Sequence, residues 1–207
     1  MTDVATVKAA IADTHRREWA RVLAATVRVA RDLDLAEECV QEAYAAALEA
    51  WVRGGIPGNP AAWLTTTARR RAIDAIRRER ALRSRLPWLV EPEDAAGEVT
   101  MQESMTQDAG DPDNAIPDER LRLIFTCCHP ALAQEAQVAL TLRLLCGVPT
   151  ADIARAFLIS EPTVAARVTR AKKKISAARI PYRVPRAVRA ASRDRIALCR
   201  GVNLRPD

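Results

Sequence analysis

The sequence predicts an all-α protein built from two small helical domains that an acidic linker joins. Three observations carry that expectation. Only 4% of the 207 residues are aromatic and only seven are Gly, while Ala, Leu, Arg and Glu recur in long stretches; strands favour the β-branched and aromatic side chains that are scarce here. A chain of this length suits two small domains, each burying a modest core. Charge is also sharply segregated: 65–86 holds eight Arg against Asp74 and Glu79, a net +6, whereas 87–120 holds ten acidic residues against one Arg, a net −9.

The first domain is expected over 1–86, with helical segments near 5–30, 35–52 and 60–84. In the second segment Leu35, Cys39, Ala43, Ala46 and Ala50 recur at helical spacing, and Glu37, Glu38, Gln41, Glu42 and Glu49 form the polar face. Gly54-Gly55-Ile56-Pro57-Gly58 interrupts the helices. Asn59 then supplies an N-cap and Pro60 the first helical position, so a third helix starts there. The acidic stretch 87–117 contains Pro87, Pro92, Pro112 and Pro117 without sustained apolar periodicity, the composition of a linker that cannot bury enough surface to order itself.

The second domain is expected over 118–180. Asp118 can cap a helix ending near His129-Pro130, and 131–145 reads as another, closed by Cys146-Gly147. Thr150 is expected to cap a short helix bearing Ile153, Ala154 and Phe157. Residues 158–161 then turn, and Pro162 opens a helix to about Ala178. Two helices around a short turn make a helix-turn-helix.

Two helical faces point to nucleic acid. Along the last helix Val164, Val168, Ala171 and Ile175 share one stripe, and Thr163, Ala166, Arg167, Arg170 and Lys174 share another. A recognition helix needs this division, anchoring by one side and presenting short residues and cations by the other. A solvated amphipathic helix would show the same charge, and the capped helix and turn before it favour the DNA reading. On the helix from Pro60, Trp63, Thr66, Thr67, Arg70, Asp74 and Arg77 cluster opposite Leu64, Ala68, Ala72, Ala75 and Ile76. An aromatic ring among cations suits single-stranded DNA, although a lone Trp is commonly a partly buried anchor. The net charge of +6 fits a polyanionic partner.

Other chemistry finds little support. Cys127-Cys128-His129 points in three directions on a helix with no second Cys/His pair at zinc spacing, so no metal is expected. With two His, no phosphate-binding Gly loop and no nucleophile elbow, neither an enzyme nor a cofactor is expected. Five scattered Cys and the absence of any long apolar run suggest a cytoplasmic protein with reduced thiols and no membrane association.

These segments resemble the extracytoplasmic-function, or group IV, sigma factors of bacterial RNA polymerase. The stretch from Leu35 to Tyr44 looks like the region 2.2 helix, Pro60 to Leu64 and Arg69 to Arg78 look like regions 2.3 and 2.4, and Thr163-Val164 with Arg167 and Arg170-Ala171-Lys172 is similar to the region 4.2 helix. Residues 120–132 further resemble a subgroup that usually carries a C-terminal helical-repeat extension. Here an Arg-rich tail, 181–207, follows instead. A natural short form, a basic arm and a shifted reading frame all fit it.

The resemblance implies that Glu38, Gln41 and Glu42 face the β′ clamp helices of core RNA polymerase and that the second domain sits on the β flap. It implies a minus-ten contact set of Trp63, Thr67, Arg70, Asp74, Arg77 and Arg78, with the 53–59 loop receiving a flipped base. Thr163, Ala166, Arg167, Arg170 and Lys174 would meet the minus-thirty-five element, and the acidic linker would thread toward the RNA channel. An anti-sigma factor is a further partner such proteins can have. Promoter recognition, DNA melting and initiation would be the function; a stand-alone helix-turn-helix regulator is the alternative.

Overall fold

The computed structural model describes residues 2–85 and 119–184. They fall into two compact units divided between Pro117 and Asp118. The linker expected over 87–117, the Asp118 cap and the tail from 185 onward lie outside the described residues.

The first unit is a three-helix bundle of α1 (Val4–Ala30), α2 (Leu33–Gly54) and α3 (Pro60–Arg85), each packed on the other two. Caps explain where the helices start. Asp3 accepts from the Thr6 N–H at 3.2 Å, Asp32 from the Leu35 N–H at 2.8 Å, and Asn59 from the Ala62 N–H at 3.0 Å. Arg31, left-handed at φ 53°, ends α1 one residue before the Asp32 cap, which folds α2 back. Gly55, at φ 86°, lets the chain leave α2 along a path that strains any L side chain.

Alanine dominates the bundle's interior. Ala24 of α1, Ala36, Ala43 and Ala47 of α2, and Ala68 and Ala72 of α3 are all 0% exposed, interleaved with Val22, Leu23, Val40, Trp51 and Leu64. Small side chains let helix axes approach closely, and the larger residues fill the remaining volume. A second cluster joins α1 to α2: His15, Trp19 and Tyr44 have ring centroids 4.8 to 6.2 Å apart.

The buried face of α2 differs from the expected one. Cys39 and Ala43 are buried as expected and are joined by Ala36, Val40, Ala47 and Trp51, whereas Leu35, Ala46 and Ala50 lie at half-buried edges. Glu37, expected on the polar face, is 7% exposed. Alanine lies on several sides of α2, so the sequence offers little contrast by which to place the buried face.

The second unit contains α4 (Glu119–Cys127), α5 (Gln134–Leu144), α6 (Thr150–Phe157) and α7 (Glu161–Ala177). Helix α5 starts three residues later than expected because 129–132 forms a turn. There the Leu132 N–H donates to the His129 carbonyl at 2.9 Å, and Gln137 Nε2 donates to the His129 and Leu132 carbonyls. Gly147, at φ 66°, closes α5, with the Val148 N–H reaching the Leu142 carbonyl at 3.0 Å.

Thr150 does not cap α6. It is the first helical residue, and Pro149 before it has no side chain able to accept. Ser160 caps α7, so that helix begins at Glu161 with Pro162 in its first turn, one residue earlier than expected. The core joins Ala139, Ile153, Ala154, Val164 and Val168. Val184, assigned by sequence to a tail, is 2% exposed, so the chain just beyond α7 is packed rather than loose.

The alanine interior makes a direct prediction. Ala43→Leu adds three carbons where no space exists, and urea unfolding followed by Trp fluorescence should show a loss of about 1–3 kcal/mol.

Candidate nucleic-acid interface

Helix α3 buries a strip one residue wide. Leu64, Ala68 and Ala72 are 0% exposed, Ala75 and Ile76 are half-buried, and Arg70, Asp74, Arg77 and Arg78 are exposed. Thr67 is half-buried and joins Arg70, Arg71, Asp74 and Arg78 in lining an open groove that Glu42 of α2 completes. Four of the six expected α3 contacts, Thr67, Arg70, Asp74 and Arg78, therefore line one groove, and Arg77 is exposed outside that lining. Arg78 Nε donates to the Asp74 carbonyl at 3.3 Å, which lays its side chain back along the helix.

Trp63 is positioned differently. Its ring meets that of buried Trp51 edge-on, with centroids 5.6 Å apart and an interplanar angle of 72°. It is half-buried, so part of the ring anchors α3 to the end of α2 and only the remainder can meet a ligand.

On α2, Glu38, Gln41 and Glu42 are all exposed. Glu42, however, is engaged: Arg71 Nη1 lies 2.6 Å from its Oε2. Sequence reasoning missed Arg71 as a groove residue because its partner is 29 positions away. Beneath this pair sits Cys39, whose thiol is pushed up by burial and then by Glu42 and Glu38, against the opposing pull of Arg71 and Arg78.

In the second unit α7 divides as expected. Val164, Val168, Ala171 and Ile175 are buried at 0 to 8% exposure, while Ala166, Arg170 and Lys174 are exposed. Thr163 is half-buried, and its Oγ1 lies 2.7 Å from the Ser160 Oγ. Arg167 is also held: its Nη2 is 3.0 Å from Glu135 Oε2 on α5, and its side chain is 29% exposed. Arg170 Nε donates to the Ala166 carbonyl at 3.2 Å, leaving the guanidinium outward.

The turn before α7 is strained. Leu158 is left-handed at φ 54° and 93% exposed, a conformation that costs a non-glycine residue roughly 1–2 kcal/mol. Beside it Val138, Ile153, Phe157, Ile159 and Val164 line a small apolar hollow with Glu135 and Arg167.

Among the described residues no group of three or more His, Cys, Asp or Glu comes together that could hold a metal, and no helix is long and apolar enough to cross a membrane. Cys127 is buried and Cys128 exposed, with Cys128 Sγ 3.9 Å from Thr141 Oγ1.

A three-helix bundle with a cationic third helix, followed by a helix-turn-helix, defines a class of DNA-directed transcription subunits, and comparison with known proteins agrees. Residues 13–82 match the family model for Sigma-70 region 2, and residues 122–175 match that for Sigma-70, region 4. The chain belongs to the sigma-70 family, in its extracytoplasmic-function class.

It is 29% identical over 152 residues to the ECF RNA polymerase sigma factor SigK of Mycobacterium ulcerans, covering 72% of this chain and 74% of that one. With SigK of Mycobacterium tuberculosis the identity is 28% over 172 residues, covering 81% and 84%. A Rhizobium meliloti protein whose description assigns no activity is 40% identical over 193 residues, 93% of this chain. The chain spans 43% of that relative's length.

Burial, with neighbouring Cys128, pushes the Cys127 thiol up to about 12 from 9.0, so it stays protonated and unreactive near neutrality. Iodoacetamide at mildly alkaline pH should label exposed Cys128 and Cys146 and spare Cys39 and Cys127 until urea is added, as read by peptide mass spectrometry.

Proposed function

We propose that this chain is a promoter-recognition subunit: it binds core RNA polymerase, reads two promoter elements and assists DNA melting at initiation. The observation that carries the reading is the occurrence, in one chain and in order, of the α3 cationic groove and the α7 cationic face, each on a helix whose other side is buried. Residues 1–86 would form the polymerase- and minus-ten-binding domain and 118–180 the minus-thirty-five domain.

In the first domain α2 would lie on the β′ clamp helices through Glu38, Gln41 and Glu42. Trp63, Thr67, Arg70, Asp74, Arg77 and Arg78 would meet the minus-ten element. Cations there track phosphates, while an aromatic face gives an unpaired base a surface on which to stack. Extruding a base costs a few kcal/mol, and the cationic groove supplies attraction against that cost.

In the second domain Thr163 and Ala166 near the start of α7 are short enough to let the helix enter a major groove, with Arg167, Arg170 and Lys174 reaching base edges or phosphates. This domain would dock on the β flap. Sigma families are not enzymes, and the reading gives the chain no catalytic role. An anti-sigma factor could compete for either docking surface.

Two experiments test this. Tagged protein should co-purify with core polymerase and generate new start sites in run-off transcription of fragmented genomic DNA. Binding to duplex DNA as a dimer without core affinity would instead support a stand-alone regulator. At a promoter so mapped, Arg170→Ala should weaken the upstream contact by about 1–3 kcal/mol if it reads a base. Arg167→Ala should also weaken it, and unchanged transcription in both variants would refute the α7 assignment.

A further inference from the structure

We propose that Arg71 is a DNA-phosphate ligand which the free chain holds in reserve on Glu42, and that polymerase docking releases it. The proposal rests on the reading of α2 as the polymerase-binding helix. Arg71 and Glu42 form an ion pair across α2 and α3 at 2.6 Å, with side chains 39% and 48% exposed. Both line the groove that also carries Thr67, Arg70, Asp74 and Arg78. Arg71 is thus among the cations placed for a nucleic-acid backbone, yet its guanidinium is directed onto a carboxylate.

Two consequences follow from the charges. While the pair is closed, Glu42 neutralises one groove cation and presents an anion to any approaching phosphate. A half-exposed pair is weak and exchanges partners readily, and a phosphate offers Arg the same bidentate acceptor geometry that a carboxylate does. Glu42 also lies on the exposed α2 face beside Glu38 and Gln41. A cation on the docked polymerase that draws Glu42 away would turn Arg71 toward the groove, so polymerase binding raises DNA affinity. Thermodynamic linkage then requires that DNA raise polymerase affinity by the same factor.

The test measures binding of a fluorescein-labelled single-stranded oligonucleotide by anisotropy across a salt series, with the full chain alone and then bound to core. For the free chain, Glu42→Gln should bind several-fold more tightly than wild type, with the log affinity against log salt slope steeper by about 0.7, one phosphate contact on a single strand. Arg71→Ala combined with Glu42→Gln should lose that steeper slope, and on core Arg71→Ala should bind more weakly than wild type with a shallower slope. Wild-type affinity and slope in free Glu42→Gln would overturn the proposal, as would a steeper slope that persists without Arg71. If wild type fails to bind core, the polymerase reading fails and the release step with it, while the free-chain comparison still decides whether Glu42 withholds Arg71.

Discussion

Because the fully buried strip of α3 is only Leu64, Ala68 and Ala72, much of its circumference is available for charge. Alanine makes this possible: the methyl groups of Ala68 and Ala72 let α3 approach its neighbours closely, whereas Leu or Phe at those two positions would hold the helices apart and spread the buried face. α2 answers with Ala36, Val40, Ala43 and Ala47, all 0% exposed. One helix can then be both a wall of the hydrophobic core and a cationic surface. The same closeness brings the acidic side of α2 within reach of α3, which is why Glu42 and Arg71 can pair and why the thiol of Cys39 senses charges from both helices.

The second unit reaches the same division by different means. Its α7 is anchored by Val164, Val168, Ala171 and Ile175 and fixed at its start by the Ser160 cap. The strained Leu158 and the capped start together set the direction in which α7 leaves α6, and that direction decides which side chains face outward. Local strain of this kind persists only where surrounding packing over-determines it. Here Ile153, Ala154 and Val164 on either side of the turn supply that packing.

Much of this was legible in the sequence, for identifiable reasons. The faces of α3 and α7 could be read because Arg and aliphatic residues alternate there at helical spacing, a strong contrast. The buried face of α2 was misplaced by a fraction of a turn because alanine occupies nearly every side of it, and Glu37 was assigned to solvent on charge alone. Thr150 looked like a cap by residue type, but a cap is defined by backbone position, and Pro149 holds that position. The packing of Val184 was hidden by its Pro- and Arg-rich surroundings. Arg71 could not be told apart from its neighbours, since pairing across two helices leaves no local pattern.

We propose that the exposed cations of α3 hold opened promoter DNA once the chain is on polymerase. Permanganate modification of unpaired thymines measures it most directly, at a promoter mapped with polymerase reconstituted from core and this chain. Wild-type protein should expose thymines in the start-proximal element, and Arg70→Ala with Arg77→Ala should abolish that reactivity while leaving core binding intact. Equal thymine reactivity with wild-type and doubly substituted protein would contradict the account.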